Sequence, residues 1–182
     1  MSERQAPQKK RAGAWWEWAR TLLIAAIIAL VLRTFVVTFV IVDGASMQDL
    51  LYTEDVMLVS RLHYLVGAPQ RGDVAMCRYP GSEKNYVKRV IGLPGETIQC
   101  RDRIVYIDGR PLDESFLTKQ NADDFGPVDI PEGHYFVMGD NRPKSSDSRA
   151  VGPLPESMLV GRALFVLWPL ERLHVLPNHN LP

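Results

Sequence analysis

The chain has 182 residues, with 21 basic and 21 acidic side chains that cancel overall. The balance is uneven: Arg4, Lys9, Lys10, Arg11 and Arg20 stand against Glu3 and Glu17, so the first twenty residues net +3 and the rest −3. No basic stripe interleaved with aromatics occurs beyond that start, which argues against nucleic acid as a partner, and two cysteines with no histidine pair at ligand spacing exclude a four-cysteine metal site.

Residues 1–13 are polar and basic without an apolar period and read as a cytoplasmic tail. Trp15, Trp16 and Trp18 beside Arg20 have the composition of a bilayer headgroup zone. Thr21 to Leu32 is uncharged and rich in Leu, Ile and Ala. Residues 14–33 are therefore expected to form one membrane-spanning helix, since about 20 mostly apolar residues cross ~30 Å of hydrocarbon. The exit Arg33-Thr34-Phe35 is not the small-x-small exit of a cleaved leader, so the segment is expected to stay. A basic amino terminus stays inside, which puts residues 34–182 outside the membrane.

Those residues read as one β-rich catalytic domain. Thr34 to Val42 is β-branched and aromatic, a strand pattern. Further strands are expected at Val56–Val59, Val74–Tyr79, Tyr86–Ile91, Tyr135–Met138 and Arg162–Trp168, with a hairpin of Thr97–Cys100 and Ile104–Ile107 over Arg101-Asp102-Arg103. Leu117 to Asp129, polar and containing Gly126-Pro127, reads as a loop. The expected fold class is mostly β: a single amino-terminal membrane helix, then a compact antiparallel sheet or barrel-like domain. Cys77 and Cys100 fit two readings, a single disulfide in an oxidising compartment or two small buried strand residues.

Chemistry centres on Val42-Asp43-Gly44-Ala45-Ser46-Met47. Small residues around Ser46 leave its hydroxyl open to a bound chain, but a serine attacks only when a base takes its proton. His63, His134, His174 and His179 are poorly placed by sequence, which turns attention to a Ser-Lys pair. Lys88 is the candidate base. In Tyr86-Val87-Lys88-Arg89-Val90-Ile91, alternation sets Tyr86, Lys88 and Val90 on one strand face. An amine on an apolar face is dehydrated, which disfavours its charged form. Taken alone, the same stretch also fits a solvated or ion-paired lysine.

Four stretches then occur in order: Gly44-Ala45-Ser46-Met47; Arg71-Gly72-Asp73-Val74; Tyr86 through Glu96 around Lys88; and Gly139-Asp140-Asn141-Arg142 with Ser145, Asp147, Ser148 and Arg149. Together they resemble the four sequence boxes of the bacterial type I signal peptidases, or leader peptidases, over nearly the whole chain. The short stretch between Glu96 and Gly133 matches the compact Gram-positive-type form. The resemblance implies a serine endopeptidase with Ser46 as nucleophile and Lys88 as general base. It implies that Ser145 hydrogen-bonds and orients the lysine amine, that Asp140, Asp147, Arg89 and Arg149 are structural ion pairs, and that Asn141 supports their loop. No metal or organic cofactor is implied. The substrates would be secretory preproteins cut after a small residue where their apolar segment leaves the lipid bilayer. Met47 and residues 35–42 would line the shallow pockets that select small side chains, unless they serve as core. The family box continues Ser-Met-x-Pro-Thr-Leu, whereas this chain reads Ser46-Met47-Gln48-Asp49-Leu50-Leu51, so the turn after Ser46 lacks its Pro and Thr. The position two before the nucleophile, which offers a hydroxyl in some relatives, is Gly44. A non-catalytic anchored β-domain is the competing reading, and the altered box is its support. A self-cleaving repressor would need a DNA-binding domain in place of the anchor, and none is visible in these residues.

Overall fold

The computed structural model describes residues 11–31, 36–120, 123–179 and 181. The chain divides into two compact units, residues 1–36 and 37–182.

In the first, helix α1 covers Arg11–Val31, so the expected polar tail is already helical at residues 11–13, and residues 1–10 lie outside those described. Among the described residues no helix is long and apolar enough to cross a membrane. Arg11, Glu17, Arg20 and three tryptophans occupy the first half of α1, and the unbroken apolar run begins only at Thr21. Residues 32 and 33 of the expected 14–33 span lie outside the described residues. The side chains of Leu22, Leu23, Ile24, Ile27, Ile28 and Leu30 are all exposed.

The second unit is built from strands β1 (Val37–Ile41), β2 (Val56–Ser60), β3 (Val74–Arg78), β4 (Asn85–Gly92), β5 (Thr97–Arg101), β6 (Ile104–Ile107), β7 (Arg110–Pro111), β8 (Phe125–Asp129), β9 (His134–Met138), β10 (Leu154–Pro155), β11 (Leu159–Trp168) and β12 (His174–Val175). Short helices α2 (Leu62–Val66) and α3 (Ser148–Val151) follow β2 and precede β10. Among the described residues the strands form two antiparallel sheets, ordered β1-β2-β11-β3-β4-β9-β10 with β12 on β11, and β7-β6-β5-β8.

Strand β4 organises the interior. Its side chains enter three apolar clusters: Val87 with Met47, Leu51 and Met57; Val90 with Ala75, Cys77 and Val137; Ile91 with Ile98, Val105 and Phe136. Alternation explains the division of Val87 from Val90, and the bulge between Val90 and Gly92 marks where β4 turns toward the smaller sheet. The hairpin over Arg101-Asp102-Arg103 forms, with Asp102 and Arg103 both at positive φ and their N–H groups donating to the Asp124 carboxylate at 2.9 and 3.0 Å.

One expectation needs correction. The loop read over Leu117 to Asp129 contains strand β8, paired with β5. Pro127 is tolerated because β8 is an edge strand, where a missing N–H breaks no ladder on the open side. Of the two readings open for Cys77 and Cys100, the buried one holds: both thiols are free, 0% and 3% exposed, and burial pushes Cys77 up to about 12 and Cys100 up to about 11.

Candidate active site

The turn between β1 and β2 carries Ser46. Gly44 adopts a φ of 103°, a conformation that side chains disfavour, and starts the turn. Gln48 N–H donates to Ala45 O, and the N–H groups of Leu50 and Leu51 donate to Met47 O, at 3.2, 2.9 and 2.8 Å. Met47 and Leu51, 1% and 0% exposed, plug this turn into the first core cluster. Met47 is thus a core residue beneath Ser46 and presents no open surface to a bound chain. Phe39 and Ile41 of β1 are, by contrast, 63% and 68% exposed.

Lys88 lies opposite Ala75 of β3, in the middle of a sheet. Its Nζ is 2.7 Å from Ser46 Oγ, and the residue is 2% exposed, while Ser46 is half-buried. Burial is the main force on the amine and lowers its pKa from 10.5; Cys77 and Asp147 oppose that shift, and Arg149 adds to it. A protonated amine donates in this contact, and a neutral one accepts from the hydroxyl.

The loop after β9 holds the nucleophile's backbone. Asn141 N–H donates to Ser46 O at 3.0 Å, and Asn141 Nδ2 donates to Ala45 O at 2.9 Å. Gly139 is the contact point. A Cβ placed there would stand 2.3 Å from Ser145 Oγ and 2.4 Å from Ser46 O, so only hydrogen fits between the serines.

The four charged residues come together as two pairs. Arg89 donates through Nε and Nη2 to both Asp140 oxygens, at 2.8 and 2.7 Å, and through Nη1 to Gly72 O at 2.7 Å; it is 0% exposed. Asp147 accepts from Arg149 Nε and Nη2 at 2.8 and 2.7 Å, caps α3 through Arg149 N–H, and accepts from Gly139 N–H at 3.0 Å. Burial pushes the Asp147 carboxyl up, yet Arg149 and the Gly139 N–H outweigh it and hold the group below the usual carboxylate range.

Ser145 departs from expectation. Its hydroxyl is buried against Gly139, and among the described residues it makes no hydrogen bond to Lys88. Its carbonyl accepts from Arg149 Nη2 at 3.3 Å. Sequence reading gave no role to Arg142, Glu114 or Phe116. The buried Arg142 guanidinium pairs with Glu114 and donates from Nε to Gly139 O at 3.1 Å, and the Phe116 ring centre lies 4.9 Å from Arg89 Cζ. Arg142 ends the Gly139-Asp140-Asn141-Arg142 stretch and was visible there; its partner, distant in sequence, was not. Among the described residues no group of three His, Cys, Asp or Glu side chains is arranged to hold a metal.

Residues 15–168 match the family model described as signal peptidase, peptidase S26. A signal peptidase I of Bacillus amyloliquefaciens is 36% identical across 94% of this chain and 97% of its own length. Signal peptidase I T of Bacillus subtilis is 37% identical across 91% of each. A solved signal peptidase I structure from Enterococcus faecalis, 36% identical, covers 56% of this chain and 98% of its own with a TM-score of 0.48.

Proposed function

The chain belongs to the signal peptidase family, peptidase S26, whose members remove signal peptides, and from that premise we propose a Ser-Lys endopeptidase with Ser46 as nucleophile and Lys88 as general base. The observation that carries the assignment is the 2.7 Å contact between Lys88 Nζ and Ser46 Oγ, made by an amine that is 2% exposed.

The chemistry follows from that contact. Dehydration lowers the Lys88 pKa, so at a given pH a larger share of its amine is neutral than in a free lysine. The neutral amine takes the Ser46 proton as Oγ attacks the scissile carbonyl. The carbonyl electrons move to oxygen, and the Ser46 N–H is the donor proposed to stabilise that oxyanion, a type of contact worth on the order of 3 kcal/mol. Collapse expels the new amino terminus, which takes the proton back from Lys88 and leaves an ester on Ser46. Lys88 then deprotonates a water that attacks the ester, and Ser46 is restored. The ion pairs Arg89–Asp140 and Arg149–Asp147, with Asn141, hold the two reacting side chains in register.

The substrates are secretory preproteins, and the lipid bilayer is the second partner. The basic start, the tryptophans and the exposed apolar side chains of α1 support a single-pass anchor with its amino terminus in the cytoplasm. A second observation supports the bilayer. Phe39 lies opposite Leu58, Leu58 opposite Phe165, and Phe165 opposite Val175; Ile41 lies opposite Val56, and Val56 opposite Trp168. These pairs lay an apolar band across four strands, with Phe39, Ile41, Trp168 and Val175 each more than half exposed. Such a band marks an interaction surface. Sharing a membrane with the substrate raises effective concentration.

The test is cleavage of a preprotein with an Ala-x-Ala exit, in detergent, by wild type, Ser46→Ala and Lys88→Ala. Loss of cleavage in both variants with folding unchanged is the expected result; cleavage surviving in either means the pair is wrong.

A further inference from the structure

We infer that Asp49 is a positioning residue for Ser46, acting through Thr118 and Lys119, an assignment that rests on Ser46 being the nucleophile. The upstream half of the Ser46 turn is held by Asn141, which binds the carbonyls of Ala45 and Ser46. The downstream half has no proline to stiffen it. In its place the Asp49 carboxylate accepts from the Thr118 hydroxyl on one oxygen and from Lys119 Nζ, at 2.9 Å, on the other. Thr118 and Lys119 lie some seventy residues away in sequence, so the contact ties two separate loops together.

The receiving loop is itself fixed at three points. Glu114 pairs with the buried guanidinium of Arg142, which follows Asn141. Phe116 packs over Arg89, the residue after Lys88. His179 of the carboxy-terminal segment stacks on Phe116 with ring centres 4.1 Å apart. One loop therefore references both halves of the reacting pair, Lys88 through Arg89 and Ser46 through Asp49. A small cavity of about 220 Å³ opens between them, lined by Gln48, Asp49, Arg89, Phe116 and Thr118 among others. Without the Asp49 tie, the segment bordering that space could move, and reacting groups misplaced by an ångström lose about a hundredfold in rate.

Two side observations agree. The Asp49 carboxyl is held below the usual range, first by the Thr118 hydroxyl and then by Lys119, so it stays ionised wherever a peptidase of this kind works. The Lys119–Asp49 pair is also partly open to water, 36% and 45% exposed, so salt weakens it.

The experiment measures kcat and KM on a peptide carrying an Ala-x-Ala exit, using the full chain in detergent, with thermal midpoints recorded for each protein. Asp49→Ala is expected to lower kcat by about tenfold and Asp49→Asn by about threefold, with KM unchanged and the thermal midpoint within about 2 °C of wild type. Lys119→Gln is expected to lower kcat by about threefold, and the exchanged pair Asp49→Lys with Lys119→Asp to recover most of that loss. Raising NaCl from about 0.05 M to 1 M should slow the wild type by about threefold and leave Asp49→Ala unaffected. A kcat for Asp49→Ala within about twofold of wild type overturns the assignment. So does a loss matched by a fall in thermal midpoint that neither Asn nor the exchanged pair repairs. Ser46→Ala is assayed alongside: if it cleaves, the nucleophile reading fails and takes this one with it; if it is inactive while the Asp49 variants are normal, only the positioning role falls.

Discussion

Replacing Asp140 with alanine isolates the energetics of the charged layer behind the site. The Arg89 guanidinium is 0% exposed and gives two of its three described hydrogen bonds to Asp140. Without the carboxylate, a full positive charge stays buried with Gly72 O as its remaining described acceptor. Breaking one partner of a buried pair costs about 3–5 kcal/mol, far more than an exposed pair, because the remaining charge has neither water nor counterion. At this chain length about 2–4 °C of thermal midpoint accompanies each kcal/mol, so Asp140→Ala should melt about 6–20 °C below wild type. The assay is thermal and urea unfolding in detergent. It includes Arg89→Met with Asp140→Leu, in which both charges go and apolar side chains fill the space. That double variant should recover most of the loss, since apolar replacement of a buried pair is often nearly neutral. Activity carries a second readout: burial is what lowers the Lys88 pKa most, Asp140 is among the carboxylates opposing it, and losing Asp140 should move the rise of rate with pH further down. A destabilisation below about 1 kcal/mol, or a double variant as unstable as Asp140→Ala, would refute the reasoning.

Gly139→Ala should keep the fold but displace the Ser46 carbonyl and Ser145, costing about 1–3 kcal/mol of stability and about a hundredfold in kcat, read from unfolding curves and peptide cleavage. The rate of peptide cleavage should rise with pH through a midpoint below the 10.5 of an ordinary lysine; a rate flat from about pH 6 to 9, with chemistry limiting, counts against a neutral amine. Lys88→Met should abolish cleavage and yet raise the unfolding free energy near neutral pH. A lowered folded-state pKa costs stability below that pKa, and the cost disappears as pH climbs toward 10.5, so the gain from Met should shrink over the same window.

Residues near each other in sequence were readable, and distant partnerships were not. Alternation in Tyr86 to Ile91 located β4 and the faces of Lys88 and Val90, because burial on both sides of a central strand leaves a plain apolar record. The hairpin at Arg101 to Arg103 was readable from its turn, whereas β8 was hidden by a Gly-Pro pair that only an edge position permits. Strands β7, β10 and β12 are two residues each and leave no period to detect. Motif resemblance brought Ser46, Lys88, Asp140 and Asp147 to notice but assigned Ser145 a bond it does not make. Met47 was open to two readings, pocket lining or core, and its burial in the turn fits the core one.

The site sets a cost in stability against a gain in chemistry. A lysine held among Ala75, Cys77 and Val90 would be most stable neutral, and that bias is what a general base needs. Too strong a bias would leave the amine a poor proton acceptor, since basicity falls with pKa. Asp147 and Asp140 limit the fall, and Arg149 and Arg89 tie up most of their charge. The paired arginines therefore have two consequences. They hold the acids in place, and they mute the field those acids exert on Lys88. An unpaired carboxylate at either position would pull the lysine back toward its charged form and away from Ser46 chemistry. Arg149→Met should thus cut the rate near pH 7 more than at pH 9, which separates an electrostatic effect on Lys88 from a general loss of structure.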